Sequence, residues 1–219
     1  AGTGALTLSS AAKIAFANST ATRSLTLDGA SVAANSFGAD LSVGGTLDAD
    51  KIDLLVKNGV GTWIIANGAT LKSTATLDVN AGLLGLSAGV LPASGSVVLA
   101  TGTTLRFESG NTEDLSGRIH LDNGASATLA FASDVTFASS LTVDGASAAN
   151  VTKTGAGKLT LSAANATVGS FTVAQGTVNV TDASGLGAGA TTVNGGLLAV
   201  NAVTANAVTV NNGGTVGGA

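Results

Sequence analysis

The sequence predicts an all-β fold of one particular kind, a parallel β-helix or β-solenoid with coils of about 20 residues. Three observations predict it. Apolar residues alternate with polar ones in short runs, the period of a strand with one buried face. Pairs of such runs advance along the chain together, by about 20 residues each time. Asn-Gly and Asp-Gly dipeptides, which accept a positive φ cheaply, punctuate the runs.

Taken in chain order, the runs form two similar stretches. Ile14-Ala15-Phe16-Ala17 returns as Leu129-Ala130-Phe131-Ala132, and Leu25-Thr26-Leu27-Asp28-Gly29-Ala30-Ser31 as Leu141-Thr142-Val143-Asp144-Gly145-Ala146-Ser147, at offsets of 115 and 116. Lys57-Asn58-Gly59-Val60-Gly61 returns as Lys153-Thr154-Gly155-Ala156-Gly157 at an offset of 96. The first copy therefore holds an extra segment between Ser31 and Lys57 (116 minus 96 is 20), the size of one coil. Within the copies, Leu77 and Val79 are followed by Val97 and Leu99, and Leu84 and Leu86 by Leu105 and Phe107. Val173 is followed by Val193, and Val180 by Val200. Two strands moving forward in step place each side chain above its counterpart in the previous coil and bury both in one narrow core. The expectation is a single elongated body over residues 1–219, with similar units at 14–110 and 129–219, about 11 coils and, at ~4.8 Å per strand, roughly 50 Å of rod.

The turns fall at Asp28-Gly29, Asn58-Gly59, Asn67-Gly68, Asn123-Gly124, Asp144-Gly145, Asn194-Gly195 and Asn212-Gly213. Alone they would equally suit antiparallel hairpins in a sandwich or barrel. The constant step argues against that, because a meander does not need successive strand pairs to shift by the same amount. An outer-membrane barrel would need longer apolar strands and aromatic girdles, whereas aromatics are 3% of this chain.

Composition excludes several functions. With 31 Gly, one Pro, 10% charged residues and regularly spaced aliphatic residues, the chain suits neither a helical bundle nor a disordered linker. No cysteine means no disulfide framework and no thiolate metal site. Nine Lys and Arg scattered over a chain of net charge −4 leave no footprint for nucleic acid or an anionic membrane. The chain starts Ala1-Gly2-Thr3-Gly4 with no apolar leader, so a signal peptide is expected to be removed or to lie upstream. Leu83 to Ala100 is the mildest membrane candidate, but Pro92, three Ser and three Gly weaken it, and it aligns with the turn-rich Thr177 to Asn194. No direct membrane insertion is expected.

Lys153-Thr154-Gly155-Ala156-Gly157-Lys158-Leu159-Thr160-Leu161, continued by Phe171-Thr172-Val173-Ala174-Gln175-Gly176-Thr177-Val178-Asn179-Val180, resembles the passenger-associated transport repeat of autotransporters. Lys57 to Ile65 with Leu77 to Leu84 resembles it more loosely, and Gly2 to Leu8 is similar to a truncated example. The resemblance implies a right-handed single-stranded parallel β-helix, a passenger exported through a translocator barrel, and an adhesin-like stalk at the bacterial cell surface. No translocator segment is read in this sequence, and Val216-Gly217-Gly218-Ala219 stop in mid-pattern, so an excised fragment or one unit of a larger fibre is expected.

No catalytic constellation emerges. Gly155 to Thr160 lacks the Ser or Thr after Gly-Lys and the leading Gly of a phosphate loop. Asp48, Asp50 and Asp53 read as a solvated turn beside Lys51 rather than a Ca²⁺ site, and no metal or cofactor is expected. His120 has no Gly-x-Ser-x-Gly elbow to serve. Trp63 is expected in the core, and Asn165-Ala166-Thr167 is a chance match to a glycosylation acceptor. Ice binding would require identical outward residues at every coil, and Thr shows no regular repeat. Arg106, Glu108, Glu113, Asp114, Arg118 and His120 form the most charged stretch and interrupt the coil rhythm, as a surface loop or a partner-contact site would.

The sequence thus reads as a non-enzymatic, secreted structural and adhesive shaft. A self-assembling fibre or surface-layer subunit is the alternative, and a carbohydrate-active β-helix enzyme a remote one. Expected partners are further β-helical repeats or copies of the chain at its open ends, and a receptor on a host or neighbouring cell.

Overall fold

The structure is a computed structural model, and it describes residues 5–9, 22–31, 33–39 and 51–218. Every strand pairing among them is parallel. One long sheet runs through the molecule, in the order β1 (Thr7–Leu8), β3 (Asn35–Phe37), β5 (Thr62–Ile65), β7 (Leu83–Leu86), β9 (Thr104–Phe107), β11 (Ser126–Phe131), β14 (Ala149–Thr154), β16 (Val168–Val173), β18 (Thr191–Val193) and β20 (Val208–Val210). An N-terminal sheet joins β2 (Ser24–Leu27), β4 (Ile52–Lys57), β6 (Leu71–Val79), β8 (Ser96–Leu99), β10 (Ile119–Asp122) and β13 (Thr142–Asp144). A C-terminal sheet joins β12 (Val135–Phe137), β15 (Lys158–Leu161), β17 (Thr177–Val180), β19 (Gly196–Val200) and β21 (Gly214–Gly217). Among the described residues the one helical element is a 3-10 turn, Ser116–Arg118, and no helix is long and apolar enough to cross a membrane.

The alternation seen in the sequence is the alternation of burial. In β8, β9 and β17 every second residue is buried and its neighbours are half-exposed, as a sheet with one wet face requires. The repeats of apolar pairs are the rungs themselves: Leu77 faces Val97, Val79 faces Leu99, Leu86 faces Phe107, Val173 faces Val193 and Val180 faces Val200. Stacking makes columns, of which Phe37, Ile65, Leu86, Phe107 and Phe131 is the longest aromatic-rich one. Phe107 and Phe131 stack with centroids 4.6 Å apart, and Phe137 closes on Phe131 edge-on at 5.7 Å. Trp63 is 6% exposed, and its Nε1 donates to the Asp28 carbonyl at 3.0 Å, so the core reading holds.

Six of the seven Asn-Gly and Asp-Gly sites carry a positive φ on their glycine, and at Asn194-Gly195 the positive φ sits one residue later, on Gly196. Coil length varies more than the sequence suggests. Along the long sheet, Leu8 pairs with Phe37 across a long excursion of chain, whereas Val193 reaches its partner Val210 by a much shorter one. Among the described residues the long sheet has ten rungs, and nine steps of about 4.8 Å set its end strands about 43 Å apart.

The molecule exchanges one sheet for another halfway along. Up to β9 each coil visits the N-terminal sheet and then the long sheet; from β16 onward it visits the long sheet and then the C-terminal sheet. The two coils between, β10-β11-β12 and β13-β14-β15, carry all three strands. This exchange corrects the notion of an inserted whole coil. Lys57 ends β4 of the N-terminal sheet, whereas its sequence counterpart Lys153 lies in β14 of the long sheet. The extra segment carries the chain from Phe37 on the long sheet to Lys57 on the N-terminal sheet, which falls short of a full coil there, whether measured from Phe37 to Ile65 or from Leu27 to Lys57. Residues 40–50, which include Asp48 and Asp50, lie outside the described residues.

Candidate functional site

Two glycine-rich corners and the charge-rich stretch are the places where the chain does something other than stack apolar rungs. Lys57 and Lys153 each end the inward row of a strand, in columns otherwise aliphatic (Leu27, Val79 and Leu99; Leu129, Val173 and Val193), and both are fully buried. A buried ammonium must be paired or fully hydrogen-bonded, and here backbone carbonyls do it. Lys57 Nζ donates to the carbonyls of Asn58 (2.6 Å), Gly59 (2.6 Å) and Ala81 (2.9 Å). Lys153 Nζ donates to Gly155 (2.7 Å), Gly157 (2.5 Å) and Gln175 (2.9 Å), and sits 5.9 Å from the Phe131 ring centroid. Burial pulls the Lys153 ammonium down from 10.5 to about 8, with Asp134 opposing the shift; burial lowers Lys57 as well, against Asp28.

The Gly-x-Gly that follows each lysine has two separate reasons. The first glycine takes a positive φ, 60° at Gly59 and 78° at Gly155. The second lies against the preceding coil, where a Cβ on Gly61 would come within 2.7 Å of the Gly29 and Ser31 oxygens and one on Gly157 would run into the Ser133 carbonyl. The corner is thus one device used twice, between the N-terminal and long sheets at Lys57 and between the long and C-terminal sheets at Lys153.

The charge-rich stretch is the splice between sheets. β12 begins the C-terminal sheet, and the coil before it offers no strand there. Asp114 and Ser116 stand in for one: the Ala138 N–H donates to Asp114 Oδ2 (3.0 Å) and the Ser139 N–H to Ser116 Oγ (2.9 Å), while Asp114 Oδ1 accepts from the Ser116 N–H and hydroxyl. Arg118 reaches the opposite way and donates to the Pro92 carbonyl (2.6 Å) in the preceding coil. Buried Asn111 donates to the Leu86 carbonyl at 3.0 Å and accepts from the Glu113 N–H. His120 Nδ1 lies 3.0 Å from Asp144 Oδ1 on the N-terminal sheet, and Arg106 Nε donates to Glu108 at 2.6 Å on the outer face of the long sheet. The six residues therefore do not converge: Asp114 and Arg118 reach the coils after and before them, Arg106 with Glu108 and His120 with Asp144 are two separate surface pairs, and Glu113 bonds through its backbone N–H to Asn111. Asp114→Ala is expected to cost about 1 to 2 kcal/mol, the scale of hydrogen bonds to a charged acceptor partly screened by water. Urea midpoints read this, with Asp114→Asn falling between.

Asn165, the nominal glycosylation acceptor, is buried, with its amide donating to Gly185 (2.7 Å) and accepting from the Leu141 N–H (2.8 Å). Asp53 accepts from Lys72 and from the Arg23 N–H, which hold its carboxyl below the usual range. Among the described residues no group of three or more His, Asp or Glu is placed to hold a metal ion.

One regularity escaped sequence reading. Thr104, Thr128, Thr152, Thr172, Thr192 and Thr209 pair rung to rung on the outer face of the long sheet, six threonines in one unbroken row. The spacing shortens along the row, from 24 at its start (128 minus 104) to 17 at its end (209 minus 192). No fixed period therefore betrays it in the sequence, and the reading of Thr as unrepeated is wrong for this face.

Comparison with curated proteins and with solved structures finds no match. Residues 151–180 match the family model described as the passenger-associated-transport-repeat, and they span β14 from Val151, the Lys153 corner, β15, Asn165, β16 and β17. A passenger-associated-transport-repeat set in a parallel β-solenoid fits the passenger of an autotransporter with β-helical repeats.

Proposed function

We propose that the chain is a stiff extracellular shaft of an autotransporter-type surface protein, extending from the cell and displaying contacts along its length, without enzymatic activity. The repeat at 151–180 implies a secreted, surface-exposed passenger. The observation that carries the shaft reading is the ten-stranded parallel ladder over one continuous apolar core, which gives length and stiffness from repetition alone. Asp114 and Arg118, within the charge-rich stretch, bond to the backbone of neighbouring coils at the sheet exchange.

A second reading is end-to-end assembly into a fibre, since every pairing along the ladder is parallel and a rung of another copy could extend it in the same way. Negative-stain microscopy with sedimentation over a concentration series separates the readings. Monodisperse rods about 40 to 50 Å long are the expected result. Long uniform filaments would make the chain a fibre subunit, and particles lacking an elongated axis would overturn both. Binding of the purified rods to cell surfaces tests the adhesive part.

A further inference from the structure

The two buried lysines share a feature that stability alone does not require: both reach forward. Each holds carbonyls of its own corner and one carbonyl of the following coil, Ala81 for Lys57 and Gln175 for Lys153, 24 and 22 residues on. That carbonyl always precedes a glycine of positive φ, Gly82 (71°) or Gly176 (69°). Those glycines lie directly on the clamped corner. A Cβ on Gly82 would stand 2.6 Å from the Gly61 oxygen and 2.7 Å from that of Gly59, and one on Gly176 would run into the Gly155 oxygen and Lys153 Nζ.

We propose that Lys57 and Lys153 are forward latches, which order their own glycine corner only when the turn of the next coil is docked upon it. With the next turn absent, the ammonium loses one of its three acceptors and its cover together, and a buried, incompletely bonded cation is costly. The corner and the following turn thus open as one unit, although they belong to different coils. The same pairing recurs between different pairs of sheets, so it belongs to the corner and not to either sheet.

The absence of cysteine from the chain makes the test clean. Lys153→Cys is alkylated with 2-bromoethylamine, which restores an ammonium at nearly the original reach, or with a propyl halide, which restores bulk without donors. Hydrogen exchange is then followed at residues 155–158, at 174–177 and, as a control, at 97–107. The aminoethyl form is expected to protect both turns like the parent, and the propyl form to exchange about tenfold faster at both turns with the control unchanged, since hydrogen bonds to a charged group contribute on that scale. Equal protection of 174–177 in the two forms, or a loss confined to 155–158, would overturn the latch. Gly176→Ala supplies a second reading that needs no alkylation: faster exchange upstream at 155–158 is expected, and an effect restricted to residue 176 and beyond would overturn the proposal.

Discussion

Phe131→Ala is expected to cost about 4 kcal/mol and to be the most damaging single truncation in the described core. Phe131 is fully buried and touches both other rings of the central cluster, Phe107 face to face at 4.6 Å and Phe137 at 5.7 Å. It also lies in one of the two coils that carry three strands, so the cavity would open where the N-terminal and C-terminal sheets overlap. A solenoid has only nearest-neighbour contacts with which to close a hole, and relaxation into the cavity is limited by the rungs above and below. Phe131→Leu is expected to recover roughly half the loss, through restored volume without the stacked faces. Urea unfolding by circular dichroism measures both. A second transition in the Phe131→Ala curve would show that the halves on either side have become separately cooperative.

Raising the pH from 7 to 10.5 is expected to stabilise the protein, by up to about 3 kcal/mol from Lys153 alone. The folded-state pKa of Lys153 is near 8, against 10.5 for the ordinary group. Below 8 the folded and unfolded chains both carry the proton, and the burial cost is present in full. Between 8 and 10.5 the unfolded chain holds the proton more tightly than the folded one, so stability climbs with pH and levels off above 10.5. Lys57, also lowered by burial, adds in the same direction. The neutral amine retains two donors for three carbonyls, which offsets part of the gain. Urea midpoints over this range should rise for the parent and lose most of that rise in Lys153→Met; a parent whose midpoint falls above pH 8 would refute the assignment.

What could be read from the sequence follows from what repeats at constant length. The rungs at Leu77/Val97, Leu86/Phe107 and Val173/Val193 were legible because those coils are nearly equal in length and neither sheet changes within them. The Lys153 repeat was legible because two glycines with distinct steric duties cannot drift in spacing. The threonine row was hidden because coils of unequal length keep register in space while losing it in sequence. The roles of Asp114, Ser116 and Arg118 were hidden for a different reason. Charge reads as surface, and only the missing strand before β12 explains why an acceptor must stand at that height. The lysines' carbonyl cages were likewise invisible, since what Lys57 and Lys153 grip at Ala81 and Gln175 is a backbone carbonyl, which any residue carries.

The sheet exchange also fixes in which direction related residues look. Lys57 and Lys153 are equivalent by sequence yet stand at different corners, so everything aligned with them is turned around the rod's axis from one copy to the next. A partner lying along the shaft would meet Thr26 and its copy Thr142 in one column of the N-terminal sheet, but would not meet Lys57 and Lys153 on one side. It would meet repetition only along a straight line of rungs, as at Thr104, Thr128 and Thr152. Duplication here multiplies height while the copies aligned with Lys57 and Lys153 are moved around the circumference, so a single chain can present unlike faces to neighbours on different sides.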